Sequence, residues 1–208
     1  FNDCDHLAVL KKAIADGSDQ IIKKIFASGL RGRGGAGFNT ALKWKMAREN
    51  AAPQKYVICN ADEGEPGTFK DREILEKVLE KVLLGMAICA TAIGSSKGFL
   101  YLRGEYNFML PKLQKKIDVF NEAVKNMLNF NVSVFSGSGA YICGEETALI
   151  ESMEGRRGEP RNKPPFPVSE GYRGCPTVVN NVETLVYAGI IMEIGPQKFF
   201  DLGTHDSK

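Results

Sequence analysis

Apolar residues recur along this chain in two rhythms, one typical of helices and one typical of buried strands. A period of about 3.6 residues marks one face of a helix, whereas short runs rich in β-branched and aromatic residues mark strands. The helical stretches are 7–14, 21–26, 40–48, 71–93, 108–128, 145–153 and 181–194, and the strand-like runs are 55–60, 98–103 and 131–135.

Glycine and small polar residues mark where these elements are expected to begin and end. Gly17, between Asp16 and Ser18, separates the first two helical stripes. Gly29 and Gly94 each follow a helix at the position where a left-handed backbone is common. Thr40 precedes the third stripe, so we expect it to be the N-cap of that helix.

Strand-like runs alternate with long helical stretches, which predicts an α/β fold. We expect a parallel sheet of about four strands with helices on both faces. Ligands of such sheets bind beyond the carboxyl ends of the strands. The first and third strand-like runs lead into the polar loops 60–65 and 137–146, and we expect these two loops to meet the glycine-rich segment 28–38 at one cleft.

The segment 28–38 contains five glycines and two arginines between Gly29 and Gly37. Bare backbone N–H groups beside guanidinium groups suit it to bind an anion or a flat ligand. The pattern G-x-G-x-x-G runs from Gly32 to Gly37, but a helix precedes it, so the standard dinucleotide-binding loop is not expected. An exposed linker is the alternative, although such linkers favour Ser and Gly without paired arginines.

Two groups of carboxylates stand near the expected cleft. Asp62, Glu63 and Glu65 repel one another unless they face donors or cations, so they either bind ribose or flavin hydroxyl and N–H groups or form a solvated acidic loop. Glu145 and Glu146 open a helix, where a capping role is the alternative to ligand binding. A carboxylate on the ribose hydroxyls also selects NAD over NADP, because it repels a 2′-phosphate.

Other side chains near these loops have both a ligand-binding and a structural interpretation. Lys43 is either a donor to a ligand or a solvated surface lysine. Phe166, in the segment Lys163-Pro-Pro-Phe-Pro167, either stacks on an adenine or nicotinamide ring or belongs to a proline-rich linker or SH3 ligand. Asn180 and Asn181 precede the last helix, where simple N-capping is the alternative.

Composition excludes several classes of protein. The chain has 208 residues, 43% hydrophobic and 25% charged, and its net charge of +2 is too small to favour nucleic acid as a partner. No apolar run approaches the roughly 18 residues of a membrane span, so we expect no membrane insertion. The five cysteines, Cys4, Cys59, Cys89, Cys143 and Cys175, form no Cys-x-x-Cys pair, so we expect no metal site and reduced cytosolic thiols.

Several motifs, taken together and in this order, resemble one family. It is the NADH- and FMN-binding flavoprotein subunit of respiratory complex I, with relatives in NAD-linked hydrogenases and formate dehydrogenases. The resemblance covers nearly the whole chain. The motifs are Gly29-Leu-Arg-Gly-Arg-Gly-Gly-Ala-Gly-Phe38, Leu42-Lys-Trp44, Cys59-Asn-Ala-Asp-Glu-Gly-Glu-Pro-Gly-Thr-Phe-Lys-Asp-Arg72, Gly139-Ala-Tyr-Ile-Cys-Gly-Glu-Glu-Thr-Ala-Leu149, Lys163-Pro-Pro-Phe166 and Gly174-Cys-Pro-Thr-Val-Val-Asn-Asn-Val-Glu-Thr184.

The resemblance implies N-terminal helices over 1–28 and a Rossmann-like domain over 29–208 that holds FMN non-covalently and binds NADH. Hydride would pass from nicotinamide C4 to flavin N5, with no side chain acting as nucleophile or general base. The implied FMN-binding residues are Gly32, Arg33, Gly34, Gly35, Lys43, Asn60, Asp62, Glu63, Tyr141, Gly144, Glu145, Val179, Asn180 and Asn181. The implied NAD-binding residues are Gly35, Ala36, Gly37, Phe38, Lys43, Glu65, Glu146, Lys163 and Phe166.

The resemblance also implies partners. Electrons would leave to iron–sulfur subunits, among them a thioredoxin-like 2Fe–2S subunit, and the family's 4Fe–4S cluster would lie in a C-terminal part that this chain does not contain. The chain begins with Phe1 rather than Met, so we expect it to be an excerpt of a longer subunit. We expect a cytoplasmic location, including the peripheral face of a membrane complex on its cytoplasmic or matrix side.

Two residues depart from the family pattern. Met46 stands where a second aromatic residue is usual, and Asn39 stands where Pro is usual, so adenine stacking is expected to be weaker or arranged differently. The alternative function is a non-catalytic nucleotide-binding or assembly module that uses the same cleft.

Overall fold

A computed structural model describes residues 5–137 and 139–204, so Cys4 and the last four residues of the expected domain lie outside the described residues. Eight helices, four strands and three short 3-10 helices follow one another in this part of the chain. The α-helices are α1 His6–Ala27, α2 Thr40–Glu49, α3 Lys70–Ile93, α4 Leu110–Val124, α5 Glu146–Met153, α6 Pro167–Glu170, α7 Val182–Ile194 and α8 Pro196–Leu202. The strands are β1 Tyr56–Ala61, β2 Lys97–Leu102, β3 Asn131–Ser136 and β4 Thr177–Asn181, and the 3-10 helices are Gly104–Met109, Tyr141–Gly144 and Tyr172–Gly174.

The four strands form one parallel sheet in the order β3-β2-β1-β4, which confirms the predicted α/β fold. Tyr56 at the start of β1 pairs with Lys97 of β2 and with Thr177 of β4. The chain moves outward from β1 to β3 and then returns to the other side of β1. The strand order therefore reverses between β1 and β4, and a crevice opens at the carboxyl ends of strands at such a point.

Side chains alternate between the two faces of the sheet, and each face has its own apolar layer. On β1, Val57 and Cys59 belong to the larger core, which is built with α1, α2, α3, α4 and α7. Ile58 belongs to a smaller cluster with Leu149 and Ile150 of α5. Helices therefore cover both faces, as predicted, although unequally.

Close backbone packing joins α3 to α7 behind the sheet. A Cβ atom added at Gly85 would lie 2.0 Å from the carbonyl oxygen of Leu185, so only glycine fits there. At Gly189, on the α7 side of the same interface, an added Cβ atom would meet Leu84 Cδ2 at 3.3 Å. This contact holds α7, and with it the end of β4, against the core.

Most predicted boundaries are confirmed within a few residues. Gly17 interrupts α1 with a φ of 78°, and Gly29 and Gly94 follow their helices with positive φ. The predicted helix 108–128 is shorter, because a 3-10 helix occupies 104–109 and α4 ends at Val124. Strand β4 and helix α8 have no counterpart among the elements assigned from the sequence.

The predicted cap of α2 was wrong. The Asn39 side chain, rather than Thr40, accepts the hydrogen bond of the Leu42 N–H at 3.0 Å. Asn39 has an extended backbone, as an N-cap residue requires, and Thr40 is already the first helical residue. The Thr40 side chain is buried instead at the wall of the cleft described below.

Within residues 5–137 and 139–204, no helix combines the length and the apolar character needed to cross a membrane. In the same part of the chain, no three His, Cys, Asp or Glu side chains are grouped so that they could bind a metal ion.

Candidate functional site

A cleft of about 510 Å³ opens at the carboxyl ends of β1 and β4, where the strand order reverses. Its size lies within the usual range for small-molecule sites. The glycine-rich segment, α2, the start of α5, the loop before α6 and the end of β4 all contribute to its walls. Of the predicted residues, those that line it are Gly32, Gly34, Ala36, Gly37, Phe38, Lys43, Asn60, Gly144, Glu145, Glu146, Lys163, Phe166, Val179, Asn180 and Asn181.

A second cavity, of about 460 Å³, lies between α1, α3 and α4, and no residue of the four described strands lines it. Apolar residues such as Leu10 and Phe120 line it, with lysines at its edge. The first cavity is the better candidate because asparagines, lysines and carboxylates converge on it from different elements.

The glycine-rich segment is a closed loop. The Gly32 N–H donates to the Phe38 carbonyl at 2.9 Å, and the Thr40 N–H donates to the Leu30 carbonyl at 3.1 Å. Gly35 and Gly37 have positive φ, which glycine adopts without strain. An added Cβ atom at Gly34 would lie only 3.5 Å from Asn181 Cβ, so the loop passes close to the end of β4. These hydrogen bonds argue against an exposed flexible linker.

The asparagines at the strand ends are held by hydrogen bonds. Asn60 donates from Nδ2 to the Gly144 carbonyl at 2.9 Å. The indole N–H of the fully buried Trp44 donates to Asn180 Oδ1 at 2.8 Å. Asn181 caps α7 by accepting from the Glu183 N–H, as in the capping alternative. These contacts fix the amide groups in place beside the cleft.

Asn181 also belongs to a small polar network behind the cleft. Its Nδ2 donates to Asp71 Oδ2 at 2.6 Å, and the Lys70 ammonium donates to Asn181 Oδ1 at 3.0 Å. Lys70 also contacts Asp71 at 2.7 Å and Glu183 at 3.1 Å. The start of α3 and the start of α7 are therefore tied together both through this amide and through the Lys70–Glu183 ion pair.

Two lysine–glutamate pairs cross the cleft wall. The Lys43 ammonium donates to Glu146 Oε2 at 2.8 Å and to the Val179 carbonyl at 3.0 Å, so Lys43 is not a solvated surface lysine. The Lys163 ammonium donates to Glu145 Oε1 at 2.7 Å. The pairs join α2 to α5, and the loop before α6 to α5.

Glu145 has a structural contact as well as a place in the cleft wall. Its Oε2 accepts from the backbone N–H groups of Thr147 and Ala148, each at 2.9 Å, and so caps α5. Burial raises the pKa of Glu145, but the hydrogen bonds from Lys163, Thr147 and Ala148 outweigh burial and hold the pKa below its usual value. Glu145 is therefore ionised at neutral pH, with one oxygen turned to the helix and one to Lys163.

The three acids after β1 separate into different environments. Glu63 does not line the cleft. It is buried and accepts from the Asp71 N–H and from the Tyr106 hydroxyl, each at 3.0 Å, so it holds the start of α3. The structure thus gives this carboxylate a helix-capping role beside the cleft lining.

Asp62 and Glu65 lie beside the cleft rather than in its lining. The Tyr141 hydroxyl donates to Glu65 Oε2 at 2.8 Å. Within the described residues, Asp62 Oδ2 is buried and has no hydrogen-bond partner. Burial raises the pKa of Asp62 to about 6, Glu105 adds to this rise, and Arg103 opposes it. Asp62 thus offers an unsatisfied acceptor or, when protonated, a donor next to Gly144.

Exposed apolar side chains surround the mouth of the cleft. Phe38, Met46 and Phe166 line it, with 48%, 41% and 49% of their surfaces exposed. Large apolar groups that remain exposed around a cavity mark a surface that a ligand can cover. The thioether of Met46 thus adds to the apolar surface that the two rings provide.

Arg33 and Gly35 belong to the loop but not to the cleft lining. The Arg33 backbone N–H donates to Thr184 Oγ1 at 2.9 Å, and its guanidinium group lies 5.4 Å from the centre of the Tyr187 ring. Arg33 therefore anchors the glycine-rich loop to α7.

Sequence reasoning assigned no role in the cleft to two residues that matter for this geometry. Trp44 orients Asn180, and Thr40 Oγ1 is buried at the cleft without a partner in the described part of the chain. The spacing of Thr40 and Lys43, three residues apart on one helix, could have indicated that both face the same side. Nothing in the local sequence signals the role of Arg161, which is described below.

The chain is similar to several known proteins. The sequence model of the Complex1_51K family, described as the Nuo51 FMN-binding domain, matches residues 25–188. The alpha subunit of the NAD-reducing hydrogenase HoxS from Cupriavidus necator is 52% identical over 197 residues, which are 91% of this chain and 33% of that protein. The mitochondrial NADH dehydrogenase [ubiquinone] flavoprotein 1 from Dictyostelium discoideum is 45% identical over 202 residues, which are 93% of this chain and 42% of that protein.

A solved structure is similar over almost the whole chain. The crystal structure of an NAD⁺-reducing [NiFe]-hydrogenase in the H₂-reduced state matches with a TM-score of 0.94 and 48% identity. The match covers 99% of this chain and 36% of that one. The present chain thus spans less than half of the length of each of these relatives.

Proposed function

Because this chain belongs to the family of the Nuo51 FMN-binding domain, we propose that it binds FMN in the cleft and oxidises NADH there. Hydride would pass from the nicotinamide to the flavin, and the electrons would continue to iron–sulfur subunits of a larger complex. One observation carries the proposal: the glycine loop, the strand-end asparagines and two lysine–glutamate pairs converge on a single cleft of about 510 Å³.

The residues of the cleft fit FMN on three grounds. The loop at Gly32 and Gly34 leaves backbone uncovered where a flat ring can approach. Thr40 Oγ1 and Asp62 Oδ2 are buried without partners in the described part of the chain, and buried polar groups of this kind need a partner. The cleft is also large enough for a cofactor of this size. We propose that Gly32, Arg33, Gly34, Gly35, Lys43, Asn60, Asp62, Glu63, Tyr141, Gly144, Glu145, Val179, Asn180 and Asn181 hold it.

FMN, when bound, supplies the chemistry, because it accepts a hydride and releases electrons singly. The protein binds and orients the two reactants. Asn60 and Asn180, whose amide oxygens are already engaged, would hold their positions without reorganising. No side chain has to act as a nucleophile or a general base.

For NADH, we propose contacts with the mouth of the cleft and its two ion pairs. Phe38 and Phe166 would cover the adenine, with Met46 completing the apolar surface. Glu146 would accept hydrogen bonds from ribose hydroxyls, and Lys163 would lie beside it. The remaining proposed contacts are Gly35, Ala36, Gly37, Lys43 and Glu65.

We also propose iron–sulfur partners. One relative is named as a subunit of a hydrogenase and another as the flavoprotein of an NADH dehydrogenase, so an electron-accepting partner is expected. A thioredoxin-like 2Fe–2S subunit and a 4Fe–4S cluster elsewhere in a longer subunit are the proposed acceptors. The cytoplasm, or the peripheral face of a membrane complex, is the proposed location.

The experiment is a flavin spectrum of the 208-residue chain. We expect added FMN to bind at micromolar concentration and its visible band to bleach anaerobically when NADH is added. The non-catalytic alternative predicts NADH binding without bleaching. The absence of FMN binding at micromolar concentration would contradict the proposal.

A matched pair of variants tests whether the flavin lies in the cleft. Gly34→Val adds a branched side chain between the loop and Asn181, so FMN binding at micromolar concentration should be lost while the circular dichroism spectrum is kept. Gly34→Ala is the control, because its Cβ would make an ordinary contact of 3.5 Å with Asn181. Unchanged FMN affinity in Gly34→Val removes the loop from the binding site.

A further inference from the structure

The loop between α5 and β4 carries Lys163 and Phe166 to the cleft, and it contains little regular structure of its own. Arg161 holds this loop to three places at once. Its Nε donates to Glu151 on α5, its Nη2 donates to Glu154 at 3.0 Å, and its Nη1 donates to the Gly171 carbonyl at 3.1 Å. The planar guanidinium group can donate to these three acceptors in fixed directions, and a lysine ammonium cannot reproduce that geometry.

The Arg161 backbone continues the same connection toward the cleft. Its N–H donates to Thr147 Oγ1 at 2.9 Å, and the Thr147 hydroxyl donates in turn to Glu145 Oε2. The other oxygen of Glu145 accepts from Lys163 at 2.7 Å. A continuous chain of hydrogen bonds therefore runs from the Arg161 backbone N–H, whose position the side-chain contacts fix, through the buried Thr147 to a lysine of the cleft wall.

The acids that bind Arg161 are themselves fixed. Glu151 and Glu154 have side chains only 13% exposed, and Arg156 contacts both of them. Burial raises the pKa of Glu154, but the Arg173 N–H and the guanidinium groups of Arg156 and Arg161 outweigh burial and hold the pKa below its usual value. Arg156 at one end of the loop and the Arg173 N–H at the other thus both bind Glu154, which Arg161 also binds.

We propose that Arg161 is a positioning residue for NADH: it acts through Thr147, Glu145 and the loop to hold Lys163 and Phe166 over the cleft. Arg161 does not line the cleft, so it acts without touching the ligand. The inference rests on the proposed function of the cleft. It adds that the Arg161 side chain fixes the part of the loop that contributes to dinucleotide binding, whereas Glu145, which also faces the FMN side, keeps its position through the N–H groups of Thr147 and Ala148.

The test compares Arg161→Gln with Arg157→Gln in the FMN-loaded 208-residue chain. Arg157 lies in the same loop, but its side chain is 89% exposed and pairs with Glu159 at the surface. We expect Arg161→Gln to raise KM and Kd for NADH by about tenfold, with kcat and FMN affinity changed less than about twofold. Arg157→Gln should leave all four quantities unchanged.

Two further measurements separate positioning from a general loss of structure. Amide hydrogen exchange over residues 156–173 should become faster in Arg161→Gln and stay unchanged elsewhere in the cleft. Arg161→Lys keeps the charge but loses the fork geometry, so its KM for NADH should lie between those of the wild type and Arg161→Gln. It replaces Arg161→Gln in the test if that variant fails to fold. An unchanged KM in folded Arg161→Gln or Arg161→Lys overturns the proposal, and so does a parallel loss of kcat and FMN affinity.

The failure of this proposal and the failure of the proposed function look different. If the wild-type chain neither binds NADH nor shows reduction of its FMN by NADH, the proposed function is wrong, and the proposed role of Arg161 is then wrong as well. If the wild-type chain reacts with NADH and the Arg161 variants match it, only the positioning role is overturned.

Discussion

Among single residues, Asp62 has the most unusual environment near the cleft. Its Oδ2 is buried without a partner in the described part of the chain, next to Gly144. The groups that act on its charge are Arg103, which favours the ionised form, and Glu105, which opposes it. Burial dominates, so the protonated carboxyl is favoured far more than in an ordinary aspartate.

The first prediction concerns the titration of Asp62 in the ligand-free chain. Its pKa is raised to about 6, so the carboxyl carbon signal in NMR should titrate near pH 6 rather than near 3.8. A midpoint near the ordinary value would show that water or a neighbouring donor reaches this oxygen, which would contradict the burial.

The same pKa predicts a change of stability with pH. Because the folded pKa lies above the unfolded one, the stabilisation is present at low pH and is lost as pH rises through about 6. Asp62→Asn resembles the protonated carboxyl, so the variant keeps this stabilisation as pH rises. The melting temperature of the variant minus that of the wild type should therefore increase between pH 4 and pH 7. Two parallel pH curves would contradict the prediction.

A third prediction at this scale concerns Glu146. We propose that its carboxylate repels the 2′-phosphate of NADPH, and it also neutralises Lys43, whose ammonium lies 2.8 Å from Glu146 Oε2. Glu146→Gln should therefore lower the ratio of kcat/KM for NADH over NADPH by about tenfold, which corresponds to about 1.4 kcal/mol. Glu122→Gln, an exposed site on α4, is the control. An unaltered ratio in Glu146→Gln would remove this carboxylate from the choice between the two dinucleotides.

The motifs and the family resemblance indicated most of the residues that line the cleft, but they did not separate neighbouring residues of the same type. Asp62, Glu63 and Glu65 look equivalent in the sequence, yet Glu63 caps α3, Glu65 accepts from Tyr141, and Asp62 Oδ2 has no partner in the described residues. The difference depends on Tyr106 and Tyr141, which are distant in sequence. Lys43 likewise could not be distinguished from a surface lysine until Glu146 and Val179 were placed beside it.

At the scale of elements, the contact between α3 and α7 supports the cleft from behind. Helix α7 begins directly after Asn181, so its position sets where the end of β4 lies. Gly85 allows the two helix backbones to approach, because an added Cβ atom would lie 2.0 Å from the Leu185 oxygen. The helices must separate if this glycine is replaced.

The fourth prediction follows from this packing. Gly85→Ala should lower the free energy of unfolding by about 3 kcal/mol, since backbone has to move to relieve the overlap. Gly189→Ala is the matched control, because its Cβ would meet first the end of the Leu84 side chain, at 3.3 Å, and it should change stability by less than about 1 kcal/mol. Equal effects in urea denaturation would contradict the close approach.

The elements that the sequence did not reveal are short or merge with their neighbours. Strand β4 has five residues and runs directly into α7, so its apolar residues were not recognised as a separate strand. Asn39 and Thr40 are both good N-cap residues, and only the backbone conformation separates them. The longer strands and helices have clear periodicity and were predicted within a few residues.

For the whole molecule, the carboxyl-end rule was enough to predict that the polar loops converge. The strand order was not predictable, because nothing in the sequence says that β4 lies beside β1. That neighbour relation creates the reversal point and brings Asn180 and Asn181 next to Asn60 across the sheet. The functional cleft is therefore a product of topology as much as of motifs.

The most direct test of the account is a crystal structure of the 208-residue chain soaked with FMN. We predict isoalloxazine density in the cleft between the glycine loop and the ends of β1 and β4, in contact with Gly34 and Asn180. Flavin density at another surface, with this cleft empty and its walls unchanged, would contradict the central claim.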